Sequence, residues 1–165
     1  MKRKTMWTVL LIPLLVIVTL AVLSATARRP TTLGVRDGRL APCPDSPNCV
    51  STQANREHQQ MDSIPLTIDS AEAMQTLKRV VSAMQRTQII TAEDRYLHVE
   101  FTSALFRFVD DVELFVDHEQ RAIHFRSASR AGRSDFGVNR KRMQALVAAF
   151  QRETSRHEGS PKTER

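Results

Sequence analysis

The chain has 165 residues, of which 41% are hydrophobic and 25% are charged, so neither a fully disordered chain nor a low-complexity chain fits this composition. Its two cysteines exclude a disulfide-rich miniprotein and a four-cysteine zinc module. The formal net charge of +6 points first to nucleic acid, but one tryptophan, one tyrosine and no RNA-binding signature argue against such a partner.

The N-terminal segment is predicted to be a transmembrane helix. Three basic residues, 2–4, precede an uncharged and mostly apolar run over residues 5–27. As a helix this run spans about 35 Å, more than the hydrocarbon core of a bilayer. The alternative is a cleaved secretion signal, because Ala-Thr-Ala at 25–27 fits a small-x-small cleavage site. We therefore expect a single-pass protein of the cell membrane, held there by residues 5–27, with its domain on the extracytoplasmic, periplasmic side.

Residues 43–49 form a short turn between the two cysteines. Between Cys43 and Cys49 lie two prolines, an Asp, a Ser and an Asn, which are residues typical of tight turns. A turn of this size can bring the two sulfurs together as a disulfide, whereas the alternative is two free thiols in a reducing compartment. We interpret residues 28–63 as a linker followed by this cysteine-bracketed arm.

The remaining residues predict the order strand, helix, four strands, helix. Residues 64–68 alternate with period two, as in an edge strand, and Asp69 or Ser70 then begins a helix that runs to about Arg86. Further strands are predicted at 88–91, 96–102, 108–116 and 121–129, followed by a last helix at 139–152.

This order indicates an α+β fold for residues 64–152. We expect an antiparallel sheet of about four to five strands with two helices packed on one face. Residues 1–27 complete the architecture as the membrane segment, and residues 153–165 are predicted to be a flexible tail.

Two adjacent carboxylates, Asp110 and Asp111, are the first candidates for chemistry. Neighbouring residues of a strand point to opposite faces, so the two cannot act on one bound atom. The hairpin 108–129 places them near Arg126 and Arg130, which are suitable partners for a buried carboxylate. They therefore form either a structural Asp–Arg network or, alternatively, the base of a hydrolase-type enzyme beside the arginines.

Spare positive charge ahead of the last helix indicates an anion site. Arg126, Arg130, Arg133 and Arg140 are predicted to surround Asp135 at the start of that helix. Such a site suits an anionic small molecule, a lipid head group or an envelope protein. The five histidines lack the spacing of a metal site, and no glycine-rich phosphate loop occurs, so we expect no metal and no cofactor.

Three separate segments share motifs with one protein family. They are CPDSPNCVS at 43–51, LFRFVDDVE at 105–113, and RSASR at 126–130 with SDFGVNRKR at 134–142. In this order they resemble the bacterial and plastid family catalogued as domain of unknown function 1499, over residues 40–151. The resemblance implies membership alone, since the family brings no established reaction, cofactor or catalytic residue.

The sequence thus favours an extracytoplasmic binding domain. Its expected ligand is an anionic molecule or protein partner, held by the arginine-rich loop and the helix start. The alternatives are the hydrolase that uses Asp110 or Asp111, and a purely structural module of the cell envelope.

Overall fold

An antiparallel sheet of six strands, covered on one face by two helices, is the body of the molecule in the part of the chain that the structure describes. This computed structural model describes the backbone of residues 2–158 and the side chains of residues 11–156. The helices are α1 (Lys2–Thr26), α2 (Ser70–Ala83) and α3 (Val138–Glu158), with a short 3-10 helix at Glu57–Gln59. The strands are β1 (Val35–Arg36), β2 (Arg39–Leu40), β3 (Cys49–Ser51), β4 (Ile64–Pro65), β5 (Thr87–Ala92), β6 (Tyr96–Thr102), β7 (Val109–Asp117) and β8 (Ala122–Ser129).

The main sheet has the strand order β3-β8-β7-β6-β5, and β4 pairs with β8 beside β3. All of these pairs are antiparallel, and the pairing of β5 with β6 shifts register between Ile89 and Thr91. The α+β class with an antiparallel sheet is confirmed. The sheet has one strand more than the four to five predicted, because β3 joins it from the cysteine-bracketed arm.

The hydrophobic core lies between the sheet and helices α2 and α3. Alternate residues of β6, β7 and β8 point toward these helices, as the two-residue period of a strand requires. The largest of the core side chains are fully buried, and they include Leu77, Leu97, Leu114, Phe125, Leu146 and Phe150. One face of the sheet is therefore apolar, which leaves the other face for polar side chains.

Helix α2 begins where the sequence predicts. The carboxylate of Asp69 accepts hydrogen bonds from the backbone N–H groups of Ala71 and Glu72, as an N-cap residue does. The helix ends at Ala83, before the predicted Arg86, which adopts a positive φ of 56° and turns the chain into β5.

Helix α3 is longer than predicted. It continues past residue 152 to Glu158, so residues 153–158 are helical rather than part of a flexible tail. Thr154 is buried, and its hydroxyl donates to the backbone carbonyl of Phe150 one turn earlier in the same helix. Residues 159–165 of the predicted tail lie outside the described residues.

The prediction of an N-terminal transmembrane helix is wrong. In the part of the chain searched, no helix combines the length and the apolar character needed to cross a bilayer.

Residues 28–63 contain strands that the interpretation as linker and arm missed. Strands β1 and β2 form a hairpin whose turn residues, Asp37 and Gly38, both have positive φ. Strand β3 pairs with β8, and Asn48 just before it connects several parts of the chain. Its carbonyl accepts from the Ser129 N–H and from the side chain of Asn139, and its own amide donates to the carbonyl of Gly132.

The disulfide between Cys43 and Cys49 is confirmed, with the two Cα atoms 5.7 Å apart. Replacing both cysteines by serine is expected to lower the free energy of unfolding by about 2 kcal/mol, because the open turn gains chain entropy in the unfolded state. Urea unfolding of the oxidised protein and of the double variant measures this difference. Equal midpoints and slopes for the two proteins would show that the crosslink does not stabilise the fold.

Candidate functional site

The face of the sheet opposite the helices carries a layer of charged and polar side chains, which we call the polar face. The alternation in β6 places Tyr96, His98 and Glu100 there, on the side opposite Leu97 and Val99. The register between strands sets Glu100 opposite Asp111, and Glu113 opposite both His98 and Arg126. The pairing of β6, β7 and β8 thus brings these six polar side chains together on one face of the sheet.

Asp111 is the centre of one half of the polar face. Nε2 of His98 lies 2.7 Å from Oδ1 of Asp111, and Arg130 donates to both carboxylate oxygens at 2.8 and 2.6 Å. Burial opposes ionisation of Asp111, but the hydrogen bonds from Arg130 and His98 outweigh it and lower the pKa of this carboxyl. Asp111 is therefore held as a carboxylate in a site that is almost closed to water.

Glu100 extends this network to the N-terminal segment. Its carboxylate accepts from Arg130, and also from Nε and Nη2 of Arg29 at 2.8 and 2.6 Å. Partial burial opposes its ionisation, yet the two arginines lower the pKa of Glu100 below its ordinary value. One carboxylate thus has two cationic partners, of which Arg130 is buried and Arg29 is half exposed.

Glu113 is the centre of the other half, and its side chain is fully buried. It accepts hydrogen bonds from the Gly34 N–H at 2.8 Å, the Tyr96 hydroxyl at 2.9 Å and Nη1 of Arg126 at 3.2 Å. Burial and the charge of Glu113 raise the pKa of Tyr96 above its usual range. The bond from Gly34 fixes the segment before β1 over the polar face.

The charges of the polar face balance. Among the described residues, the carboxylates of Glu100, Asp111 and Glu113 each have at least one arginine, and the arginines are Arg29, Arg126 and Arg130. Arg126 and Arg130 therefore leave no spare positive charge for an anion. This arrangement is the paired network that one interpretation of the sequence predicts.

The structure places Asp110 on the opposite face from Asp111. Asp110 accepts from Nη2 of Arg142 at 2.6 Å, and this guanidinium also stacks over the ring of Phe101. Arg142 further bonds the side chain of Asn139, which lies against Ser127. Asp110 belongs to the contact between the sheet and α3, so the two aspartates do not share a site.

The four arginines predicted around Asp135 do not meet. Arg126 and Arg130 lie on the polar face, Arg133 is exposed, and Arg140 donates to the backbone carbonyls of His58 and Gln60. The carboxylate of Asp135 accepts from the backbone N–H groups of Gly137 and Asn139 at the start of α3. The carboxylate of Asp135 is thus the anion that bonds the N–H groups at this helix start.

His98, Glu100 and Asp111 bring three potential metal-ligand atoms within 4.8 Å of one another. The guanidinium of Arg130 already bonds both of the carboxylates in this group. A metal ion would have to displace that cation from a nearly closed site, so the donor set does not fit a resident metal.

A cavity of about 430 Å³ opens beside the polar face, and we call it the face cavity. His98 and Tyr96 form its wall on the sheet side, and the N-terminal segment forms the opposite side. Its lining includes Arg29, Leu33, Val35, Thr91, Tyr96 and His98. The lining also includes Glu93 and is more polar than apolar, so the cavity offers a ligand polar contacts together with a smaller apolar surface.

Sequence reasoning missed Arg29, His98, Glu100 and Glu113 as members of the site. A signal was present, because polar residues occupy every second position from Tyr96 to Glu100 while the residues between them are apolar. Which carboxylate faces them follows only from the register of β6 with β7.

A family model described as "Protein of unknown function (DUF1499)" matches residues 39–150, which include the disulfide and most of the polar face. Searches of the curated proteins and of the solved structures find no match. Because the matched segment covers more than half of the sequence, the chain belongs to the DUF1499 family.

Proposed function

We propose that the domain binds a small molecule with an anionic group and an apolar body in the face cavity. The observation that carries this proposal is the position of His98, which lies against Asp111 on one side and lines the cavity on the other. The anionic ligand expected from the sequence is thereby assigned to a different site from the arginine-rich loop and the helix start.

Arg29 is the cation best suited to receive the anionic group. It lies at the cavity, and its side chain is half exposed. Glu100, its present partner, also bonds Arg130, so Arg29 can turn toward a ligand without leaving a buried carboxylate unpaired. A guanidinium binds carboxylate or phosphate through two parallel hydrogen bonds.

His98 supplies a second polar contact. Its bond to Asp111 fixes the ring, and among the described residues no group hydrogen-bonds to its Nδ1. In the imidazolium form Nδ1 donates a hydrogen bond, which suits an anion. Leu33, Val35 and Ile90 give the same cavity an apolar side for the rest of the ligand.

The disulfide supports an oxidising, extracytoplasmic location for this domain, since structural disulfides are rare in reducing compartments. Alkylation of thiols in protein taken directly from cells tests the location. Free thiols at Cys43 and Cys49 would contradict it.

A nuclear magnetic resonance titration with butyrate and with inorganic phosphate tests the ligand site. We expect butyrate to shift the signals of His98, Thr91 and the Arg29 side chain, and Arg29→Gln to weaken binding about tenfold, the value of one charge-assisted hydrogen bond. Arg36→Gln is the matched control, because Arg36 is an exposed arginine outside the face cavity. Absence of shifts with both probes, or equal weakening in the control, would refute the site.

A purely structural role for the polar face is the second candidate, favoured by the balanced charges and by the bond from Gly34 to Glu113. It predicts no binding of either probe. It also predicts that Arg29→Gln exposes the N-terminal segment to protease, whereas a ligand site predicts protection by butyrate.

A further inference from the structure

Two loops expose large apolar side chains to solvent. Phe136 is 91% exposed and Leu105 is 79% exposed, and Val138 at the start of α3 is half exposed. Isolated exposed apolar residues are common, but an exposed group of them indicates a contact surface. Of the large hydrophobic side chains that are exposed among the described residues, only Ile89 lies outside α1, these two loops and the first residue of α3.

The two loops project from the same end of the sheet. Loop 103–108 joins β6 to β7, and loop 130–137 follows β8. The Arg130 N–H donates to the carbonyl of Val109, so the two loops begin side by side. We call the exposed tips of loops 103–108 and 130–137 the loop surface.

Each of the two loops contains one residue other than glycine in the left-handed region of backbone conformation. Arg107 and Phe136 have positive φ values of 56° and 53°, which residues other than glycine rarely adopt. A phenylalanine is a costly residue for such a position when its side chain is almost fully exposed, as that of Phe136 is. The strained backbone and the exposed ring together indicate that Phe136 contacts something outside the domain.

The charge around the loop surface is positive. Loop 103–108 contains Arg107 and no acidic residue. Near the second loop lie three basic residues, Arg133, Arg140 and Lys141, and one acidic residue, Asp135. The carboxylate of Asp135 bonds the backbone at the start of α3. Arginine and lysine side chains beside exposed apolar groups are typical of surfaces that bind anionic lipid.

We propose that the loop surface makes a peripheral contact with a bilayer that contains anionic lipids. Leu105 and Phe136 enter the level of the head groups, and Arg107 and Arg133 contact lipid phosphates. A protein partner needs a continuous complementary surface of about 800 Å² on each side, whereas two separate tips can enter a lipid surface without matching its shape.

Spin labels at defined positions of the full chain test this contact. Among the described residues no cysteine is free, so a single introduced cysteine can be labelled selectively. Ala104→Cys and Ser134→Cys place a nitroxide beside Leu105 and Phe136 without removing them, and both positions are exposed. Glu119→Cys, in the turn at the opposite end of the sheet, is the matched control.

The labelled proteins are mixed with vesicles of phosphatidylcholine, with and without phosphatidylglycerol. With the anionic lipid, labels at 104 and 134 are expected to gain accessibility to oxygen and to lose accessibility to a water-soluble nickel chelate, while the label at 119 stays in water. Combining Leu105→Ser with Phe136→Ser is expected to return both labels to water.

Three results would overturn the proposal. The first is that labels at 104 and 134 remain accessible to the nickel chelate in both kinds of vesicle. The second is equal shielding without phosphatidylglycerol, and the third is unchanged shielding in the double serine variant. Shielding of these labels by an added protein but not by vesicles would assign the loop surface to a protein partner instead.

Discussion

Replacing Arg130 by alanine is expected to lower the free energy of unfolding by about 3–5 kcal/mol, the usual loss when one partner of a buried ion pair is removed. The side chain of Arg130 is only 7% exposed, and it bonds both Asp111 and Glu100. Its removal leaves Asp111 with a histidine as its remaining partner, in a position where water cannot replace the lost bonds.

Urea unfolding measured by circular dichroism tests this expectation. Arg133→Ala is the control, because this neighbouring arginine is exposed, and its loss is expected to change the free energy by no more than about 0.5 kcal/mol. Similar unfolding curves for the two variants would mean that the Arg130 network contributes little to stability.

Replacing Glu113 by alanine is expected to cost about 3–5 kcal/mol as well, because it leaves the buried charge of Arg126 unpaired. Three donors then lose their acceptor, namely Arg126, the hydroxyl of Tyr96 and the backbone N–H of Gly34. Nε of Arg126 is already buried without a partner among the described groups, so this arginine has little other support.

A double variant separates the charge from the packing. Combining Glu113→Leu with Arg126→Met removes both charges and keeps the volume, and we expect it to recover at least half of the stability lost in Glu113→Ala. Chemical unfolding of the three proteins gives the comparison. If the double variant were less stable than Glu113→Ala, the unpaired charge would not be the cause of the loss.

The regular elements of the domain were predictable because their signals are local. The apolar stripe of α2 begins after Asp69, and the alternation from Tyr96 to Thr102 gives β6 with its bounds as predicted. The hairpin β1–β2 also has a local signal, since Asp37-Gly38 is a favoured two-residue turn, but its strands have only two residues each.

The candidate site was predictable only in part, because most of its pairs join distant parts of the chain. Neighbouring positions on a strand imply that Asp110 and Asp111 face opposite sides, and the hairpin implies an arginine near them. The pair of Arg29 with Glu100 joins residues 71 positions apart, and no local pattern predicts it. At the start of α3 the missed contact is local, since the carboxylate of Asp135 bonds the backbone N–H groups of Gly137 and Asn139.

The order of strands has a consequence for how the protein avoids aggregation. Within the described residues the main sheet has two edges, formed by the short strands β3 and β4 on one side and by the longer strand β5 on the other. The register shift of β5 between Ile89 and Thr91 interrupts the regular row of backbone donors and acceptors that another chain would need for pairing. The irregularity therefore makes edge-to-edge pairing through β5 less favourable, and the opposite edge offers only strands of two and three residues.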